Sequence, residues 1–145
     1  MNRLLQIVRT FQRARSGTSA VEFALILPVL LMLVFGIVVF GSYLAVVHGV
    51  QQLAAEAARS SVAGLSEAER ASLASGYVTA NAASYPLIAP NHLTVNAATS
   101  QSDAKVFVVT VNYDASDMFI YSLPSFVPAP PRSIVRAAAI PRGGY

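Results

Sequence analysis

The chain has 145 residues, 54% of them hydrophobic and only 12% charged. An ordinary soluble domain carries about twice that share of charge, so with a mean hydropathy of +0.54 the composition excludes a disordered chain and points to a membrane-associated one. The absence of cysteine excludes disulfide scaffolds, cysteine zinc sites and iron–sulfur centres.

The net charge of +3 and a pI near 9.6 invite a nucleic-acid reading, which the distribution of charge does not support. Arg3, Arg9, Arg13 and Arg15 all precede Gly17, with no acid among them, and residues 18–145 alone are slightly acidic. A nucleic-acid surface requires a basic patch on the folded part. A basic block beside an apolar run is instead a topology signal.

That run is Ala24 to Val47, without one ionisable side chain. As helix it extends about 36 Å, enough to cross a hydrocarbon core of about 30 Å. It exceeds the apolar core of a cleaved signal peptide, about 7–15 residues. Its arginine-rich flank puts the N-terminus in the cytoplasm and residues 48–145 outside. Pro28 removes a backbone donor early in the span. Gly41, Ala45 and Gly49 fall on one face, a stripe that either lets another helix approach or reflects ordinary membrane-helix composition. Glu22 stands just before the run. An acid there is either a functional group held at the membrane or a first-turn partner of the helix dipole.

Beyond the span, Val46, Val50, Leu53 and Ala57 continue a helical period, and Glu56 can pair with Arg59. Helix from about Ser19 to Ala63 is the expectation, about 67 Å long, with Gly64 as its C′ residue. Ser66-Glu67-Ala68-Glu69 is a capping box, so a second helix begins at Glu67 and ends by Tyr85, before Pro86. Leu73 and Tyr77 give it a thin apolar face. Strands are expected at Leu93–Ala97, Lys105–Asp114 and Ser133–Ile140. The middle one is clearest, with Phe107, Val109, Val111 and Tyr113 on one face. The expected fold class is α+β: a long N-terminal helix, a second helix and a small antiparallel sheet. Between the last two strands, Met118–Pro131 is apolar yet rich in proline. Such a loop either meets a partner or membrane or folds over the sheet.

Catalytic chemistry finds little support. Asp103, Asp114 and Asp117 are scattered, His92 has no companion near it in sequence, and His48 sits at the outer boundary of the span. No GxSxG, HExxH or P-loop pattern occurs. The reading is of a protein that is not an enzyme and takes no cofactor or metal.

The most informative stretch is Arg15-Ser-Gly-Thr-Ser-Ala-Val-Glu-Phe-Ala-Leu25. A basic leader ends in Gly17, Glu22 stands five residues later, Phe23 follows, and the apolar helix begins. This resembles the processing site of type IV pilin-like proteins. The string Ser19-Ala-Val-Glu-Phe-Ala-Leu-Ile-Leu-Pro28 is similar to the start of the TadE-like proteins of tight-adherence (Flp) pilus systems, as is Gln52-Leu-Ala-Ala-Glu-Ala-Ala-Arg59 to the helix that follows their span. The resemblance implies a minor pseudopilin, cut between Gly17 and Thr18 by a prepilin peptidase. Glu22 would then pair with a neighbouring subunit's N-terminal amine. Thr18 departs from the Phe that type IV pilins carry there.

The implied organisation is a cytoplasmic leader at 1–17, a transmembrane and stalk helix at 18–63 (span about 24–47) and a periplasmic α+β domain at 64–145. The implied location is the bacterial inner membrane. The implied partners are the prepilin peptidase, the major Flp-type pilin, other minor pseudopilins, the inner-membrane assembly platform and the lipid bilayer, with no nucleic acid. The alternative is an unprocessed, signal-anchored binding module or accessory subunit of a membrane complex, which needs neither Gly17 nor Glu22.

Overall fold

The computed structural model describes residues 15–123 and 128–142, with side chains from Thr18 onward. The basic leader expected at 1–17 lies largely outside the described residues. The chain divides into two units, with the boundary after Ile37.

Helix α1 runs Arg15–Ser60 without a break, Pro28 inside it. Pro28 costs the helix one backbone bond, because its ring nitrogen cannot donate to the Ala24 carbonyl. A 3-10 turn at Ser61–Ala63 ends it, close to the Ala63 limit expected from the sequence. Gly64 follows with φ −73°, so it is not the left-handed C′ residue expected there. It is needed for space. A Cβ at Gly64 would stand 2.7 Å from the Arg70 backbone nitrogen.

The second helix, α2, is Glu67–Asn81, extended by a 3-10 turn at Ala82–Ser84. Ser66 Oγ accepts from the Glu69 N–H at 3.2 Å. Glu69 Oε2 accepts from the Leu65 N–H at 2.9 Å, one residue earlier than a reciprocal capping box requires. The buried side of α2 is Arg70, Ala74 and Val78, not the expected Leu73 and Tyr77. The physical reason is proximity: α2 packs directly on the first strand, and small side chains are what a close backbone approach admits.

Three strands form one antiparallel sheet in the order β1-β2-β3: Leu93–Thr99, Val106–Asp114 and Ser133–Pro141. Pairing sets Val95 opposite Val111 and Val111 opposite Arg136, with Tyr113 opposite both Leu93 and Ile134. Phe107, Val109, Val111 and Tyr113 are buried on one face of β2, as the alternation predicts. Within the second unit the same is true of Val46, Val50, Leu53, Ala54, Ala57 and Ala58 on α1. These recur at three- and four-residue steps, the single stripe of a helix laid on a core. Each buried valine or leucine contributes about 1.5–3 kcal/mol.

The loop after β2 settles into a 3-10 turn, Phe119–Ser122. Met118, Ile120 and Pro130 are buried while Phe119 is exposed. Part of the loop therefore folds over the core, one of the two readings the sequence leaves open, while Phe119 faces outward. Residues 124–127 lie outside the described residues.

Charged groups tie the ends of the sheet. Glu67 Oε1 accepts from the Thr99 N–H at 2.9 Å, and this bond holds the Glu67 carboxyl below the usual carboxylate range, Arg142 adding to it. A lowered pKa adds stability above the unfolded carboxylate value, and that stability is lost as pH falls through the folded value. Thermal unfolding of the full chain in detergent should therefore show Glu67→Gln less stable than the parent at pH 7, the difference closing below about pH 4. A difference that persists unchanged at acid pH would mean the carboxylate is not what Thr99 needs.

Candidate functional site

In the first unit the site is the helix itself. Val21, Phe23, Ile26, Val29, Leu31 and Val34 are all exposed, and they occupy every side of the cylinder rather than one stripe. A helix apolar all round requires an apolar solvent. An 18-residue window reaches a mean hydropathy of 3.0, and among the described residues this is the one helix long and apolar enough to cross a membrane.

The sequence-derived motif maps onto the start of this helix. Gly17 and Thr18 lie in its first turns, and Glu22 and Phe23 follow one turn later, both exposed. The ion pairs among the described residues are Glu56–Arg59 at 2.7 Å and His92–Asp117 at 3.4 Å. Neither involves Glu22.

The small-residue stripe is divided by the structure. Gly41 and Ala45 are exposed, and a Cβ at Gly41 would meet nothing within 4 Å. Gly49 is buried. A Cβ there would come within 2.9 Å of Ile88 Cδ1 and 3.4 Å of Tyr85 Cδ1. Gly49 thus serves packing inside the second unit, and only Gly41 and Ala45 are free for a neighbouring helix.

A second cluster, unseen in the sequence, closes the other end of the sheet. Tyr113 Oη donates to the Leu87 carbonyl and accepts from the Ala89 N–H, both at 3.3 Å. This pins a turn in which Leu87 adopts φ 66°, a left-handed conformation that costs a β-carbon-bearing residue about 1–2 kcal/mol. His92 Nδ1 lies 3.1 Å from the Asp114 carbonyl, and its Nε2 faces Asp117. The Asp114 carboxyl is held below its usual range chiefly by hydrogen bonds from Ser116, with His92 and Arg132 assisting. A cavity of about 330 Å³ is lined by Leu87, Ile88, Met118, Phe119, His92 and Asp117, among others. The signal in the sequence is Asp114-Ala-Ser116, an Asx turn that bends the chain back after β2. Among the described residues no group of three potential metal ligands occurs, and His92 orients no nucleophile.

These features define an α+β protein whose first helix is fit to cross a membrane and bears an acid just before its apolar run. Residues 17–59 match the family model for TadE-like protein, so the chain carries a TadE-like segment. The match starts at Gly17 and runs through the helix to Arg59. Comparisons with curated proteins and with solved structures give no match.

Proposed function

We propose that this chain is a minor pseudopilin of a tight-adherence (Flp) pilus, a structural and assembly component without enzymatic activity. The observation that carries the reading is the TadE-like match over residues 17–59, which takes in Gly17, Glu22 and the whole apolar helix. Leader arginines placed before that helix favour a cytoplasmic N-terminus and a periplasmic second unit at the inner membrane. A prepilin peptidase would then cut after Gly17, leaving a cationic amine on Thr18. An unpaired carboxylate at the membrane is costly, and Glu22 would be offset by the amine of an adjacent subunit. The exposed Gly41 and Ala45 would let a second helix approach closely. The partners on this reading are the peptidase, the major Flp-type pilin, other minor pseudopilins and the assembly platform.

The test is the N-terminal sequence and intact mass of the membrane-extracted chain, with and without a co-expressed prepilin peptidase. A peptidase-dependent start at Thr18 is expected. Gly17→Arg should abolish it, because a side chain there crowds the cleft. An N-terminus at Met1 under both conditions would overturn the processing and favour a simple anchor.

A further inference from the structure

One face of the sheet carries the core, and the other is open. Residues directly opposite each other on paired strands share a face. Ala98, Val108 and Ala139 therefore form one row across the open side, and Asn96, Thr110 and Ala137 form the next. All six are exposed or half-buried, and Val135 beyond them is 49% exposed. On the three strands this side bears a single ionisable group, Asp114, at one end. The solvent side of an antiparallel sheet is ordinarily polar, and about a quarter to a third of a protein surface is ordinarily charged. Here Val, Ala and Thr stand where Lys, Glu and Arg are usual.

The margins of the sheet are already engaged. The Ser100 N–H bonds to the Val106 carbonyl, which turns the Thr99 N–H away from β2, and Glu67 Oε1 accepts it at 2.9 Å. On the β3 margin, Gln51 Nε2 donates to the Ala137 carbonyl at 3.4 Å and Arg136 Nη1 to the Val135 carbonyl at 2.7 Å. A strand joining either edge would have to displace these bonds. The sheet therefore offers a partner its face rather than its edge.

Charge, shape and area point to the occupant. A twofold pair must be self-complementary; a charged face repels its own copy, whereas this one does not. Small side chains let two sheets stack about 10 Å apart with their strands nearly aligned. Nine residues of β2 extend about 30 Å, and three strands span about 14 Å, so each face offers about 400 Å². Two such faces bury about 800 Å², short of the roughly 1,200–2,000 Å² of a free-standing complex. The contact therefore needs crowding, and a helix fit to cross a membrane would supply it by confining copies to one surface.

We propose that the open face of the sheet is where two copies of this chain meet, the Ala98-Val108-Ala139 row of one against the same row of the other. The inference concerns the second unit alone and does not depend on processing after Gly17.

The chain has no cysteine, so single ones can be placed at will. The full chain carrying Val108→Cys is reconstituted in phosphatidylcholine vesicles and treated with a short bismaleimide. Leu65→Cys, 95% exposed in the turn between α1 and α2, is the control. Cross-linked dimer is expected at position 108, with position 65 near background. Thr110→Lys or Thr110→Asp, added to the Val108→Cys chain, should each cut the yield about tenfold, because like charges then oppose each other across the face. Mixing the Lys and Asp chains should restore it, a result that damaged folds could not give. Absence of dimer at position 108 at every protein-to-lipid ratio would overturn the proposal. So would equal yields at 108 and 65, or a yield that neither charge lowers, since the copies would then meet elsewhere, for instance through the first helix. Loss in both charged chains without recovery on mixing, their unfolding temperatures unchanged, would overturn the twofold arrangement. None of these failures touches the pilus reading, which the N-terminal sequence tests separately.

Discussion

Phe107→Ala should be the most damaging single replacement in the second unit, lowering its stability by about 3–5 kcal/mol. The ring is 0% exposed at the start of the central strand, paired laterally with Thr99 on one side and Ile140 on the other. No large apolar side chain flanks it on β1 to collapse into the vacated space. Domains are stable by only about 5–15 kcal/mol, so the variant should sit near its unfolding threshold at ambient temperature. Its neighbour supplies the control. Val108 lies on the opposite, half-exposed face of the same strand, and Val108→Ala should lose far less. Near-UV circular dichroism of the six tyrosines during thermal unfolding in detergent reads both. A larger loss for Val108→Ala than for Phe107→Ala would mean that the faces are assigned the wrong way round.

The second large effect is expected at Gly64. Alanine there places its Cβ 2.7 Å from both the nitrogen and Cγ of Arg70. The Cγ can rotate away, but the nitrogen is fixed by its own bond to the Ser66 carbonyl at 3.0 Å. The turn between α1 and α2 must therefore open, at a cost of about 1–3 kcal/mol. Opening it also separates the Gly64 carbonyl from Arg70 Nε, now 2.9 Å apart. That bond matters because the guanidinium is buried and its Nη1 has no hydrogen-bond partner among the described residues. Combining Gly64→Ala with Arg70→Ala separates the two contributions. Truncating Arg70 removes Cγ but leaves the nitrogen, so the double variant should recover little. Full recovery to the level of Arg70→Ala alone would show that the side chain was the obstacle.

What the sequence reveals and what it hides divide along a physical line. The period-two alternation of β2 determines which side of the strand is buried, and Phe107 to Tyr113 lie where that pattern places them. The charge-free run and the capping serine at Ser66 are equally local signals, and the structure bears out both. The differences concern distances between elements. Leu73 and Tyr77 are the larger side chains of α2, but helix and strand lie close enough that Ala74 and Val78 fill the gap. Sequence alone suggests a backbone conformer at Gly64 and an association face at Gly49. Both are glycines because a neighbour on another segment leaves no room. The His92–Asp117 contact spans the whole of β1 and β2, and nothing at either position signals it. The motif at Gly17, Thr18, Glu22 and Phe23 is legible because it is contiguous. The structure lays those residues along one helix.

Gln51 on α1 donates to the Ala137 carbonyl of β3 at 3.4 Å, a bond between residues 86 positions apart. The strands pair only with sequence neighbours, so hairpin closure is cheap, whereas the helix meets its last strand across most of the chain. As the polypeptide emerges from a ribosome or a translocon, Val46, Val50 and Leu53 are among the first core residues available and among the last to be fully sheltered. Until Ser133–Pro141 arrives, β2 also has an unpaired flank, the kind of edge that recruits strands from other molecules. This architecture is most vulnerable during its synthesis, and that vulnerability ends with its final strand.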